Sequence, residues 1–244
     1  KFNCHDFAAH AQKEIDYYQK LFPQLKLSLE IRGDVAGIMV SETTLFISDQ
    51  LSMDSNRCDA LIQHEIGTHI LTYCNGKSQP FKQMYAGFAG YDQLQEGLAV
   101  LAEYLVNGLT INRLRLLAGR VVAAHSLVMG ANFIETFRLL KDQHNFPEHT
   151  SYYISMRIYR GGGLTKDAVY LAGLINVLDY LKNDGKLETL YAGKFNTNHV
   201  ALIEELIHRR VLKKPELPRF LERESVQERM KKLRAGISLT ELLN

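Results

Sequence analysis

The chain has 244 residues, 46% of them apolar, and a formal net charge of +2, with a pI near 8.4. That composition fills a sizeable core, so residues 1–244 read as one domain. The charge is too mild to imply a nucleic-acid partner, and no apolar run of about 20 residues could span a membrane. Three cysteines, Cys4, Cys58 and Cys74, are an odd set with no paired spacing, which suits a reducing, cytoplasmic compartment.

The chain starts at Lys1 without methionine, as a trimmed fragment would, and shows no signal peptide. Residues 4–21 carry Phe7, Ala8, Ala11, Ile15, Tyr18 and Leu21 at helical spacing and stop before Pro23. His5 and His10 belong to the solvated face of that helix. Residues 26–32 alternate as a strand, with Gly33-Asp34 as a turn. Residues 36–40 and 44–48 form a hairpin around Ser41-Glu42-Thr43. It is either an ordinary structural hairpin or an edge strand able to pair with an extended peptide.

From Asp54 onward the pattern is helical. Asp54-Ser55-Asn56 offers caps, Cys58, Ala60, Leu61 and Ile62 pack a helix, and Asn75-Gly76 supplies a left-handed stop. Residues 77–90 read as a loop whose Phe81, Tyr85 and Phe88 either wall a cleft or join the core. Helices follow at about 92–107, 110–130, 132–145, 150–159, 166–183, 197–209 and 222–234. Thr110 and Thr165 stand as N-caps, Gly161-Gly162-Gly163 as a loop and Asn183-Asp184-Gly185 as a stop. Residues 209–234 hold ten Lys or Arg against four Glu. This reads as a solvated, salt-bridged face, with Pro215 and Pro218 marking a loop.

The stretch that carries chemistry is Gln63-His64-Glu65-Ile66-Gly67-Thr68-His69, followed 27 residues after His69 by Glu96. Two imidazoles and a carboxylate from another segment are the ligand set of a catalytic zinc, which keeps one position open. Glu65 then stands where a carboxylate is needed to take a proton from the attacking water. The histidines are five apart, which on a regular helix separates them by about 140°. The spacing therefore predicts a π-type turn at Ile66-Gly67-Thr68 that returns His69 to the face of His64. Glu96 sits at the head of an apolar helix, where an unpaired charge is costly; Gln95 and Glu103 read as bystanders. Cys74 reads as a small buried hydrophobe rather than a ligand.

His64-Glu65-Ile66-Gly67-Thr68-His69 with Gln95-Glu96-Gly97-Leu98-Ala99 resembles the bacterial flavohemoglobin expression-modulating QEGLA-motif proteins. These are relatives of the microtubule-associated tyrosine carboxypeptidases of animals. A second block, Arg157-Ile158-Tyr159-Arg160-Gly161-Gly162-Gly163 with Thr165-Lys166-Asp167-Ala168-Val169-Tyr170-Leu171, also resembles that family. The match runs from about Leu29 to the C-terminus. The resemblance implies a zinc carboxypeptidase that removes a C-terminal residue, tyrosine from tubulin tails in the animal members. It implies His64, His69 and Glu96 as ligands and Glu65 as the catalytic carboxylate. The animal proteins carry Glu where this chain has Gln95, which marks the bacterial branch.

A carboxypeptidase must bind a free terminal carboxylate and stabilise an oxyanion. We assign carboxylate binding to Arg157 and Arg160, with Lys166 and Tyr170 as further candidates; the alternative for all four is helix-end charge or core. The glycine loop lacks phosphate-loop spacing and a preceding strand. The class expected is α+β, predominantly α-helical, a zincin-like catalytic domain with a small N-terminal β-hairpin or sheet and a helical bundle. The substrate expected is a peptide or protein C-terminal tail, losing tyrosine or another aromatic residue. Two alternatives stand beside this: an endo- or aminopeptidase with the same core, and a non-catalytic regulatory protein with a structural metal. No oligomeric state is specified.

Overall fold

The computed structural model describes residues 1–161 and 164–243. Gly162 and Gly163 of the expected glycine loop, and the side chain of the expected cap Thr165, lie outside the described residues. The protein is 64% helical with small sheets, which places it in the α+β, predominantly helical class.

Strand β1 (Phe2–Asn3) leads directly into helix α1 (Cys4–Leu21). Asn3 starts the helix because its side chain accepts from the His5 and Asp6 amides while Asp6 returns the bond to the Asn3 amide. Phe7, Ala11, Ile15 and Tyr18 face the core, and His5 and His10 face solvent. Strands β2 (Ser28–Arg32), β3 (Ile38–Ser41) and β4 (Thr44–Ser48) form a sheet in the order β2-β4-β3. The β3–β4 hairpin is the expected one, with Glu42 left-handed at its turn. The parallel pairing of β2 with β4 was not expected, and neither was β5 (Ser52–Met53) lying antiparallel to β1. β4 is central and buries Leu45 and Ile47, which leaves β3 as an outer strand.

Helix α2 (Cys58–His64), a π turn (Glu65–Ile70) and helix α3 (Leu71–Lys77) run as one continuous rod. The π turn falls where the histidine spacing required it: the Leu71 amide reaches the Ile66 carbonyl, an i→i−5 bond. The Thr68 hydroxyl donates to the Gln63 carbonyl at 2.9 Å, giving that carbonyl an acceptor role the widened turn would otherwise leave open. Two sequence expectations fail here. Asp54 makes no side-chain cap, and Asn75-Gly76 does not stop the helix but lies inside α3. Asn75 instead bonds the Tyr191 carbonyl and both backbone groups of Glu216. Gly76 is small because the Met84–Tyr85 backbone lies against it.

Residues 77–90 are not all loop, since they hold the short helix α4 (Gln83–Ala86). The remaining helices are α5 (Tyr91–Leu105), α6 (Ile111–Val128), α7 (Phe133–Arg138), α8 (Glu148–Tyr159), α9 (Leu164–Lys182), α10 (Leu187–Leu190), α11 (Val200–His208) and α12 (Glu224–Ala235). Thr110 caps α6 as expected, through the Arg113 amide. The helix expected over 132–145 breaks into α7 and a second π turn, Leu139–Gln143. The largest helix–helix contact joins α5 to α9. α6 also packs on α9, and α8 packs on α6 around a smaller cluster of Ala123, Ala124, Leu140, Ile154 and Ile158.

The basic C-terminal stretch is more than a solvated face. Arg219 pairs with Glu14, Arg223 with Asp59, and Arg229 reaches the end of α5 at Tyr104 and Asn107. These bonds tie the last segments back onto α1, α2 and α5.

α5 and α9 meet at Gly97 and Gly173, whose backbones touch with no room for a Cβ on either. Gly97→Ala should therefore force the helices apart and cost about 1–3 kcal/mol, measured as a lowered urea midpoint. The same change should weaken metal binding, because residue 97 follows Glu96 directly.

Candidate active site

The π turn brings His64 and His69 into edge-to-face contact, ring centroids 5.2 Å apart. Glu96, on α5, completes the group: its Oε2 lies 3.7 Å from His64 Nε2 and 3.6 Å from His69 Nε2. Glu96 is not at the head of its helix as the sequence suggested but well inside it, and it is buried. Its Oε2 has no hydrogen-bond partner, an unfavourable state for a carboxylate oxygen out of water. Ligands held at about 2.1 Å around a tetrahedral ion stand about 3.4 Å apart, close to the separations seen. Two imidazole nitrogens and a carboxylate oxygen also suit a borderline divalent cation. His64, His69 and Glu96 thus form a group that could hold a metal ion.

The charges around this group are arranged to keep its donors free. Glu103, seven residues after Glu96 and so on the same face of α5, is fully buried. It accepts from His64 Nδ1 at 2.9 Å, Arg57 Nη2 at 2.9 Å and Arg113 Nη2 at 3.0 Å. With the His64 proton on Nδ1, the Nε2 lone pair faces Glu96 and is available to a cation. Burial pulls the His64 pKa down, but the Glu103 hydrogen bond and the charges of Glu65, Glu103 and Glu96 outweigh it and raise it overall. Burial likewise opposes ionisation of Glu96 and Glu103. His69, His64 and Lys166 around the first, and His64, Arg113 and Arg57 around the second, hold both well below the usual carboxylate range.

The group opens into a cleft of about 640 Å³. Glu65 lines it, half-buried, with Oε1 4.0 Å from His64 Nε2. One wall is the outer strand β3 and its neighbours, from Ala36 to Val40; the other is basic and aromatic, with Arg113, Arg120, Tyr153, Arg157, Lys166 and Tyr170. Of the expected substrate residues, three reach the cleft. Arg157 Nε donates to Asp167 Oδ1 at 2.6 Å, Lys166 Nζ sits 3.2 Å from Glu96 Oε1, and Tyr170 lies buried beside Glu96. Burial, then the Glu96 charge, push the Tyr170 hydroxyl far above its ordinary range, so it stays a donor.

Arg160 does not join them. It caps the end of α8, is exposed, and is absent from the cleft wall, because three residues past Arg157 the helix has turned and ended. Phe81, Tyr85 and Phe88 also stay out of the cleft: Phe81 is exposed, Tyr85 faces Tyr73 and Lys77, and Phe88 packs on His199. Cys74 is fully buried, and burial alone pushes its thiol up to about 12.

Sequence reasoning missed Glu103, Arg57, Arg113, Arg120 and Asp167. The seven-residue spacing from Glu96 was the available signal for Glu103; its cationic partners arrive from other segments and left none. Gln95 is no bystander either: it is buried, accepting from Thr72 at 2.6 Å and donating to the Gly193 carbonyl. No described helix is long and apolar enough to cross a membrane.

Glu103→Gln should keep the shape of this network but remove the charge that Arg57 and Arg113 compensate. The expected result, read by competition with a chelator, is a 10- to 100-fold loss of metal affinity.

A search of curated proteins finds no match to the sequence. A family model described as microtubule-associated tyrosine carboxypeptidase matches residues 1–238, which begins earlier than the motifs alone implied. Such membership implies a peptidase-type enzyme with carboxypeptidase-like activity on protein or peptide substrates. This nearly full-length match, over a chain whose buried His64, His69 and Glu96 could hold a metal ion, establishes that the chain belongs to the microtubule-associated tyrosine carboxypeptidase family.

Proposed function

We propose that the chain is a single catalytic domain acting as a zinc-dependent carboxypeptidase. It removes one C-terminal residue, tyrosine or another aromatic, from peptide or protein tails in the cytoplasm. The observation that carries this reading is the buried, unpartnered Glu96 Oε2 directed at two imidazole nitrogens, with Glu65 alongside. His64, His69 and Glu96 would hold the ion. Three protein ligands leave a position open, which favours a catalytic over a structural metal. A zinc ion held there would supply Lewis-acid polarisation of a water and of the scissile carbonyl.

The remaining steps fall to the chain itself. Glu65 takes the proton of the attacking water and delivers it to the leaving amine. Tyr170, kept protonated by burial, donates to the oxyanion that develops. The free edge of β3 pairs with the extended substrate upstream of the cleaved bond, and the basic wall bearing Arg157 and Lys166 receives the terminal carboxylate. We place the chain in the bacterial QEGLA-motif branch on Gln95, whose amide donates to the Gly193 carbonyl as a carboxylate could not.

The test is mass spectrometry of peptides with free and amidated C-termini, incubated with zinc-loaded wild type and variants. Loss of one residue from free-ended peptides alone is expected. Glu65→Gln should keep zinc and lose about 10²- to 10⁴-fold in kcat, whereas His64→Ala should lose both metal and turnover. Full activity in Glu65→Gln would remove the assigned base, and internal cleavage of amidated peptides would make the protein an endopeptidase.

A further inference from the structure

Among the described residues, six cations line the cleft. Arg57 shares Glu103 with Arg113, Lys194 lies over the Tyr73 and Tyr91 rings, and Arg113, Arg157 and Lys166 each have a close carboxylate. Arg113 is bonded to Glu103 at 3.0 Å, Arg157 to Asp167 at 2.6 Å, and Lys166 is paired with Glu96 at 3.2 Å. Arg120, on α6, has only a loose ion pair, with Asp167. Its side chain is only 9% exposed, its Nε has no partner, and the nearest carboxylate oxygen, Asp167 Oδ1, lies 3.6 Å from Nη1, beyond hydrogen-bond reach. That oxygen is committed to Arg157. No hydrogen bond from the Arg120 guanidinium is found among the described residues.

Such a group is out of place in a folded protein. A buried guanidinium whose Nε has lost its hydration and found no acceptor among the described residues is costly, and Arg157 and Arg113 beside it add like charge. The arrangement makes sense if the acceptor arrives with the ligand. A planar fork of N–H donors matches a carboxylate in shape and charge. Tyr170 stands within electrostatic reach of both Arg120 and Glu96. It links this end of the cleft to the metal-ligand group.

We propose that Arg120 is the anchor for the substrate's C-terminal carboxylate, the specificity-determining residue that makes this cleft an exopeptidase site. The proposal rests on the carboxypeptidase reading. Arg157, one of the two arginines the sequence favoured, then acts as a positioning residue: it holds Asp167 Oδ1 at 2.6 Å, which leaves that oxygen 3.6 Å from Arg120 and outside hydrogen-bond contact, while Asp167 Oδ2 has no partner among the described residues.

The test uses zinc-loaded, full 244-residue chain carrying Glu65→Gln, so that peptides bind without being cleaved. Three N-acetylated tripeptides serve as calorimetric probes: one ending in tyrosine as free acid, the same as amide, and one ending in glutamate as amide. Glu65→Gln should bind the free acid at least about 30-fold more tightly than either amide. Adding Arg120→Gln should abolish that preference. Zinc stoichiometry should be unchanged. Arg120→Lys, which keeps the charge but not the fork, should retain a preference reduced roughly tenfold, and it serves if the glutamine variant does not fold.

A free-acid preference that survives both substitutions overturns Arg120 as the anchor while leaving the carboxypeptidase reading intact. Equal binding of acid and amide by Glu65→Gln, with internal cleavage of amides by wild type, overturns the carboxypeptidase reading and this proposal with it. Arg120-dependent binding of the glutamate amide would make Arg120 a side-chain subsite and overturn the anchor role.

Discussion

Helix α5 buries two carboxylates on one face, and a buried carboxylate is tolerated only where cations and donors replace its lost water. Much of the surrounding structure answers to that constraint. Glu103 draws Arg57 from the start of α2, Arg113 from α6 and the Nδ1 proton of His64. Glu96 draws Lys166 from α9 onto one oxygen and leaves the other facing two imidazole nitrogens. α9 can come that close because Gly97 and Gly173 let the helix backbones touch. The glycine after Glu96 and the lysine that pairs with it are thus parts of one arrangement.

The same constraint explains the division of labour between the two α5 carboxylates. Glu103 has its oxygens filled by fixed protein donors and orients an imidazole. Glu96 has Oε1 held by a half-exposed lysine and Oε2 unpartnered. A fully satisfied carboxylate is a structural group; one left half-satisfied in the same dry environment is held ready for a cation.

What the sequence could reveal follows from the range of each interaction. The five-residue histidine spacing required a π turn because the helix period allows no other way to bring both rings to one face, and the turn lies at Glu65–Ile70. The β3–β4 hairpin and the Thr110 cap are likewise local and were readable. The parallel β2–β4 pairing joins segments with a strand between them and leaves no periodic mark. Asn75-Gly76 misled because its stop signal is local, whereas its use is distant: the asparagine bonds Tyr191 and Glu216, and the glycine admits the Met84 backbone. At the site, the His64, His69 and Glu96 group stands in sequence motifs and was legible as a group that could hold a metal, but Glu103 looked like an exposed helix charge until Arg57 and Arg113 were placed beside it. Arg157 and Arg160 looked equivalent in sequence, and only the end of α8 separates them.

The pairing of Arg157 with Asp167 bears on how the proposed exopeptidase cleft can stay open. A cationic subsite lined by protein carboxylates would collapse onto them in the absence of substrate, since a contact at fixed geometry costs less entropy than capture of a mobile ligand. Asp167 is the nearest carboxylate to Arg120, and it is fully buried. Its Oδ1 bonds Arg157 at 2.6 Å and lies 3.6 Å from Arg120, so Arg157 holds that oxygen more closely. On the proposed reading, two cations that share one anion leave charge for a second anion where a single ion pair would leave none.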